Sequence, residues 1–407
     1  MRIAIVGGGA SGLIAAISAA RNGADVTVFE KNDRIGKKIL VTGNGKCNLS
    51  NTAFSASHYY TKDRDYIMSR FEEFGVKDTI DFFSSIGLLL TDRDGYLYPR
   101  CEQASAVLDV LRFTLERLSV RVVISCAVRS IRKEAESFTV STEHGNETFD
   151  RVIVSCGNIA GVNPPKGGKL SPDSFLSLFP TDTFQTAPFS PALTALRCRE
   201  AYCKALSGIR AKGSLHIPDE KEDIFERGEV QFTDYGLSGI PAFQLSRKVG
   251  DLLRRRSFVP VCFDFFPELT DNELIAHIMD RLDNIGELSA ERFFTGMVHK
   301  KILPVFFKLT GLRSQDRCDD IDRSRICKAA VLLKRFPFTC NALNPYQNAQ
   351  VCAGGILLSE INEHFESRRI KGLYLTGEIL DVDGKCGGYN LQWAWTSGFL
   401  AGRSASC

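Results

Sequence analysis

"RIAIVGGGASGLIAAISAARNGADVTVFE", residues 2–30, decides the fold of this chain. "RIAIV" reads as a buried strand, and glycines follow at once, with Gly7, Gly9 and Gly12 in G-x-G-x-x-G spacing. "LIAAISAARNG" then places small and apolar residues at helical spacing and stops on Gly23, and "DVTVFE" is a second strand closing on Glu30. Each part has a physical task. Gly7 allows the tight turn. Gly9, without a Cβ, lets the backbone approach a pyrophosphate. Gly12 lets the helix pack close to the strand with its N-terminus toward the phosphates. An acid at Glu30 suits a ribose 2′-hydroxyl and repels a 2′-phosphate, so the tightly bound nucleotide is not NADP. A glycine-rich turn could occur in any α/β protein, but here strand, glycines, helix, second strand and acid all agree. The motif alone does not decide between NAD and FAD.

Working outward, the bulk numbers fit a cytosolic enzyme. At 407 residues the chain is long enough for two or three domains. Apolar residues make up 44% and charged residues 24%, and the net charge is only +3, so neither a nucleic-acid nor a membrane protein is announced. No apolar run reaches spanning length. The thirteen cysteines are odd in number and lack CxxC spacing, so they read as free thiols rather than disulfides. One CxxxxC, Cys198 to Cys203, lies in mid-chain, and the histidines have no metal-ligand spacing, so no metal is expected.

The far end decides the cofactor. "GLYLTGE" is a short strand running into Gly377 and Glu378, "DVDGKCGG" is a glycine-rich loop, and "YNLQWAWTSGFLAG" is an apolar helix with Gly398 and Gly402 one turn apart. An NAD-binding domain has no need of a second strand–loop–helix unit so far from the first. A flavoprotein does: the returning acid meets the ribityl chain, and the helix N-terminus stabilises negative charge on reduced flavin.

"TGNGKCNLSN" (42–51), "FTDYGLSGIPAFQLS" (232–246) and "GEILDVDGKCGGYNLQWAWTSGFLAG" (377–402) resemble the hallmarks of the BaiN/YhiN-like family of NAD(P)/FAD-dependent oxidoreductases. Its members include aminoacetone oxidases, bile-acid-pathway flavoproteins and RNA dihydrouridine synthases. The resemblance covers nearly the whole chain. It implies an α/β, Rossmann-like FAD domain interrupted by an inserted β-barrel-like and helical domain. It also implies that Thr42, Gly43, Gly45, Lys46, Cys47 and Asn48 lie over the flavin, with Lys46 where many members carry Arg. The family's turn after the strand "RVIVSCGN" is replaced here by "SCGNIAGVNPPKGG". Cys156 and Gly157 are still expected to turn under the cofactor, while the loop over 156–170 departs from the pattern. Val128 sits where such folds hold the adenine. Together with Ala10, Ser11, Lys31, Gly388, Tyr389, Asn390 and Leu391, these residues make up the expected FAD site. Cys47 and Tyr389 are the candidate proton donors, from their motif positions.

Between the two halves, "SRFEEFG", "DTIDFFSSIG" and "ASAVLDVLRFTLERL" read as amphipathic helices, and "LLLTDRDGYLYP" reads as a hairpin turning at Asp94-Gly95. Residues 121–156 alternate like a meander returning to the main sheet. The FAD domain is expected over 1–190 and 348–407. The insert is expected over 191–347, β-rich to about 268 and helical over about 269–335, with "LSAERFFTGMVHKKILPVFFKL" read as helical throughout. Two basic clusters, Arg254–Arg256 and His299–Lys301, read as solvated helical faces, or as phosphate contacts if RNA is the partner.

The expected function is hydride transfer from transiently bound NAD(P)H through FAD to an unsaturated small molecule. An oxygen-using amine oxidase, a reductase of uridine in RNA and a non-catalytic flavin binder stay open. Disulfide reductase chemistry is excluded by the lone Cys47 where those enzymes carry a cysteine pair, and by the lack of a second G-x-G-x-x-G in mid-chain.

Overall fold

Five parallel strands form the central sheet, in the order Leu373–Leu375, Arg151–Val154, Arg2–Val6, Asp25–Phe29 and Arg121–Val123. We describe a computed structural model, over residues 1–164, 170–218 and 224–407. The inner strands are buried on both faces beyond their first residue, which explains their unbroken apolar runs. The first helix, Ala10–Arg21, and the C-terminal helix, Tyr389–Ala405, lie together against this sheet. Glycines set their separation. A methyl group on Gly398 would sit 2.2 Å from the Ser11 carbonyl oxygen, and one on Gly402 would sit 2.3 Å from that of Ala15.

The helices Arg64–Glu73, Val76–Ser85 and Ala104–Arg117 occur where amphipathic periodicity placed them. Leu90–Arg93 and Tyr96–Pro99 form the expected hairpin, with Asp94 and Gly95 both at positive φ (52° and 90°), as a two-residue hairpin turn demands. The meander resolves into two parts. Arg121–Val123 and Arg151–Val154 join the central sheet, while Val128–Glu134, Ser137–Thr142 and Gly145–Phe149 form an antiparallel sheet of their own.

Contacts gather the chain into two units, Met1–Ser190 with Val351–Cys407, and Pro191–Gln350. Each has its own apolar core. The second unit is a closed barrel of Leu196–Cys198, Gly236–Ser238, Ile224–Thr233, Arg210–Ile217, Val259–Asp264 and Phe336–Leu343, filled by Leu215, Phe232, Phe263 and Phe338. Helices Asp271–Ile285 and Arg323–Leu332 follow the sequence reading.

One segment corrects it. "LSAERFFTGMVHKKILPVFFKL" is two short helices, Ala290–Phe294 and Leu303–Thr310, and His299–Lys301 lie in the turn between them. Gly296 at φ +88° ends the first, and Pro304 in the first turn of the second fixes its start. The divergent loop over 156–170 lies partly outside the described residues. All thirteen cysteines are free thiols. No helix among the described residues is long and apolar enough to cross a membrane.

Candidate functional site

The three glycines of the first turn behave differently from one another. A Cβ on Gly7 (φ +108°) would lie 2.6 Å from the Cys156 Cα, and one on Gly12 would lie 2.0 Å from the Gly7 carbonyl oxygen. Packing within the protein therefore accounts for both. Gly9 has an ordinary φ of −87°, and nothing lies within 4 Å of the place its Cβ would take. No protein atom requires a glycine there, and the open space leaves room for a ligand to approach the backbone. Behind it the first helix has no side-chain cap and no acid in its first turn, leaving the N–H groups of Ala10, Ser11 and Gly12 for an anion.

Glu30 closes the second strand and is buried. One carboxylate oxygen accepts from the Gly8 N–H (2.8 Å), and the other accepts from the backbone and side chain of Asn32 (2.8 and 2.5 Å). Lys31 beside it is exposed. Val128 opens the meander, half-buried, opposite Thr142. Gly157, at φ +63°, and Gly377, at φ +71°, bring two loops to the same edge, since a Cβ on Gly157 would lie 3.9 Å from the Glu378 carboxylate. The C-terminal helix holds Gly377 in place: Ser397 Oγ accepts from its N–H (3.0 Å), and Trp393 Nε1 donates to its carbonyl (3.2 Å). Glu378 is ion-paired to Lys38 at 2.6 Å, a partner that sequence reasoning missed because it belongs to the short helix Lys37–Val41 at the other end of the chain.

The glycine-rich loop and the C-terminal loop meet: a Cβ on Gly388 would lie 2.6 Å from the Ser50 carbonyl oxygen and 2.8 Å from the Asn48 side-chain amide. Gly43 and Asn44 adopt left-handed backbone (φ 55° and 54°), and so does Cys47 (φ 57°). Beyond them Asn51 Nδ2 donates to the Gly387 carbonyl (3.1 Å), Trp395 Nε1 to Leu49 (3.0 Å), and Tyr389 Oη to Ala53 (3.0 Å). Underneath, the buried Gln392 accepts from Ser50 Oγ (2.6 Å) and donates to Thr79 Oγ1 (2.9 Å), a satisfied polar network joining the two ends of the chain.

This chain matches the family described as "HI0933-like protein Rossmann domain" over residues 1–404. The chain belongs to that family. A curated relative, the 3-dehydro-bile acid delta(4,6)-reductase of Clostridium scindens, is 38% identical and covers 100% of this chain and 99% of its own. Ribosomal RNA dihydrouridine synthases of Haemophilus influenzae and Escherichia coli are 24% and 25% identical, covering 99% and 97% of this chain and 98% and 95% of theirs. The HI0933-like chain is an FAD-dependent oxidoreductase, and the open position at Gly9 with the uncapped first helix fits that cofactor.

The HI0933-like loops also refine several expectations. Lys46 turns to Glu102, with which it pairs at 2.7 Å, and Arg93 shares the same carboxylate. The Asn48 amide donates to the carbonyls of Ser50 (2.8 Å) and Leu97 (3.2 Å) in the orientation that suits its neighbours. Asn390 accepts from the Gly384 N–H (2.8 Å) and donates to the Gly384 and Lys385 carbonyls. Both asparagines therefore brace their own loops. Cys47 is fully buried, and burial pushes its thiol up to about 11. Burial also raises the Tyr389 phenol above its ordinary range. The C-terminal helix begins uncapped at Gly388 with no acid in its first turn, and Leu391 packs half-buried against the core. Asn32 and Lys38 are structural partners that lie outside every motif, and Gln392 lies inside the third.

Proposed function

We propose that this protein reduces a carbon–carbon double bond conjugated to a carbonyl group, in a flat apolar molecule of the steroid class, with electrons reaching FAD from a transiently bound NADH or NADPH. The observation that carries the reading is end-to-end likeness, at 38% identity, to a protein named for that reduction in bile acids. The dihydrouridine synthases add two hydrogens to a ring double bond that is also conjugated to a carbonyl, so both kinds of relative share one chemistry and differ in the body of the substrate. That second likeness, at 24% and 25%, keeps reduction of uridine in RNA as the alternative.

Bound FAD supplies the hydride chemistry. The residues of the chain supply position and charge. In this reading the first-turn N–H groups of Ala10, Ser11 and Gly12 hold the pyrophosphate, Glu30 takes the ribose, and the Val128 backbone takes the adenine. Cys156, Gly157, Gly377 and Glu378 surround the ribityl chain, with Lys38 orienting Glu378. The loop Thr42–Asn48 and the residues Gly388–Leu391 would hold the ring, and the uncapped helix start at Gly388 would favour negative charge on it. The unit Pro191–Gln350 sets the choice of acceptor.

The test starts from purified holoprotein. Its flavin is released and identified, and the protein is reduced anaerobically with NADH or NADPH. It is then mixed with a 3-oxo-Δ4 steroid, with uridine-containing RNA, or with oxygen. Reoxidation by the steroid enone, well ahead of oxygen, is the expected result. Reoxidation by RNA alone favours the second reading, and reoxidation by oxygen alone favours an amine-oxidase type of activity.

A further inference from the structure

Double-bond reduction needs a proton as well as a hydride, and the structure leaves both candidates from the motifs poorly placed to give one. Cys47 is fully enclosed and held neutral. Tyr389 is 6% exposed, and its hydroxyl already donates to the Ala53 carbonyl at 3.0 Å. Tyr59 is enclosed too, with its hydroxyl donating to the Tyr389 carbonyl at 2.9 Å.

The hairpin strand Tyr96–Pro99 carries two more phenols to the same loops. It pairs with Ser50–Asn51, placing Tyr96 opposite Asn51. The Tyr96 ring lies against Gly387, where an added Cβ would be 2.9 Å from its Cε1. Gly387 itself accepts from Asn51 Nδ2 and stands next to the start of the C-terminal helix. Two residues on, Tyr98 rests against Gly43, whose Cβ would be 3.6 Å from its ring. Tyr98 is half-buried, and burial, then Tyr96 and Cys386, raise its phenol. Tyr96 is 40% exposed. Of these four phenols it is the most exposed, and it borders the meeting point of the two loops within reach of solvent, from which a spent acid recovers its proton.

We propose that Tyr96 is the proton donor of the reduction. This rests on the reading given under Proposed function. Reduced FAD, when bound, would supply a hydride to one carbon of the conjugated double bond. The π electron pair forms the second C–H bond with the proton of Tyr96 Oη as that O–H bond breaks, and the phenolate regains a proton from water. Atoms and electrons balance: the substrate gains two hydrogens, FAD is reoxidised, and Tyr96 is unchanged.

Tyr96→Phe keeps the ring on Gly387 and removes only the acid. The expected result is a fall of about 100-fold or more in the rate at which a 3-oxo-Δ4 steroid reoxidises the anaerobically reduced holoprotein. Flavin content, the affinity for the steroid measured on the oxidised protein, and the rate of reduction by NAD(P)H stay at the parental level. Tyr98→Phe, one strand position pair away, keeps the parental reoxidation rate. A Tyr96→Phe rate equal to the parent's, or a loss in Tyr98→Phe in its place, overturns the assignment while leaving the proposed function standing. If the steroid fails to reoxidise even the parent, the proposed function is wrong and the role of Tyr96 falls with it.

Discussion

Gly9→Val separates a ligand's demand for glycine from the protein's own. The new Cβ has open space around it, because nothing lies within 4 Å of its position, and its φ of −87° suits any residue. The cost to the empty protein is the poorer helix N-cap, set against a small gain from a stiffer unfolded chain, and the two together stay within about 1 kcal/mol. In a unit of this size that shifts the melting temperature by about 2–4 °C at most. Toward FAD the same side chain fills the pyrophosphate's place. A 100-fold loss of affinity costs about 2.7 kcal/mol, which is also the stabilisation that FAD at 100 times its Kd confers on the parent. Gly12→Ala is the counter-experiment. Its Cβ falls 2.0 Å from the Gly7 carbonyl oxygen, so the empty protein itself must give way. The assay is thermal unfolding of flavin-free protein, followed by titration with FAD monitored by flavin fluorescence. Gly9→Val should melt with the parent when empty and gain nothing from FAD, while Gly12→Ala should already melt lower when empty. A Gly9→Val protein that binds FAD as the parent does refutes the placement of the pyrophosphate.

Three further outcomes follow from the site. Lys38→Met removes a half-exposed ion pair, so stability should change by less than about 1 kcal/mol, but FAD affinity should weaken several-fold as Glu378 loses its orientation; an unchanged Kd would leave Lys38 without a role. Asn390→Leu strips the Gly384 and Lys385 backbone of its partners and should cost about 1–3 kcal/mol in denaturant unfolding, whatever it does to the flavin potential. Cys47 is held neutral at about 11 in the fold against an ordinary 9.0, so the unfolded thiol ionises first and stability falls as pH rises from about 9 to 11. Between pH 8 and 10.5 that term amounts to about 2 kcal/mol, and Cys47→Ala should flatten the slope by that amount in urea titrations.

The sequence was most legible where one residue type answers one local demand. Asp94-Gly95 turned the hairpin as two positive φ values require, and the first strand, glycine turn and helix fell where their apolar periods placed them. Reading failed where tertiary context outweighed pattern. "FFTGMVHKKILPVFF" is apolar enough for one helix, yet Gly296 and Pro304 divide it. The partners of Glu30 and Glu378 could not be read either, because an ion pair between Lys38 and Glu378 leaves no periodic trace across so long a separation.

The asparagines show what a motif leaves unsaid about its side chains. "TGNGKCN" and "GKCGGYN" place Asn48 and Asn390 in the expected FAD site, and the two loops do come together. Asn48 and Asn390, however, spend their amides on the carbonyls of Ser50, Leu97, Gly384 and Lys385. A loop containing residues at positive φ exposes backbone carbonyls and N–H groups that no regular ladder satisfies, and a short amide side chain is the cheapest partner for them. The asparagines therefore hold the loops in shape.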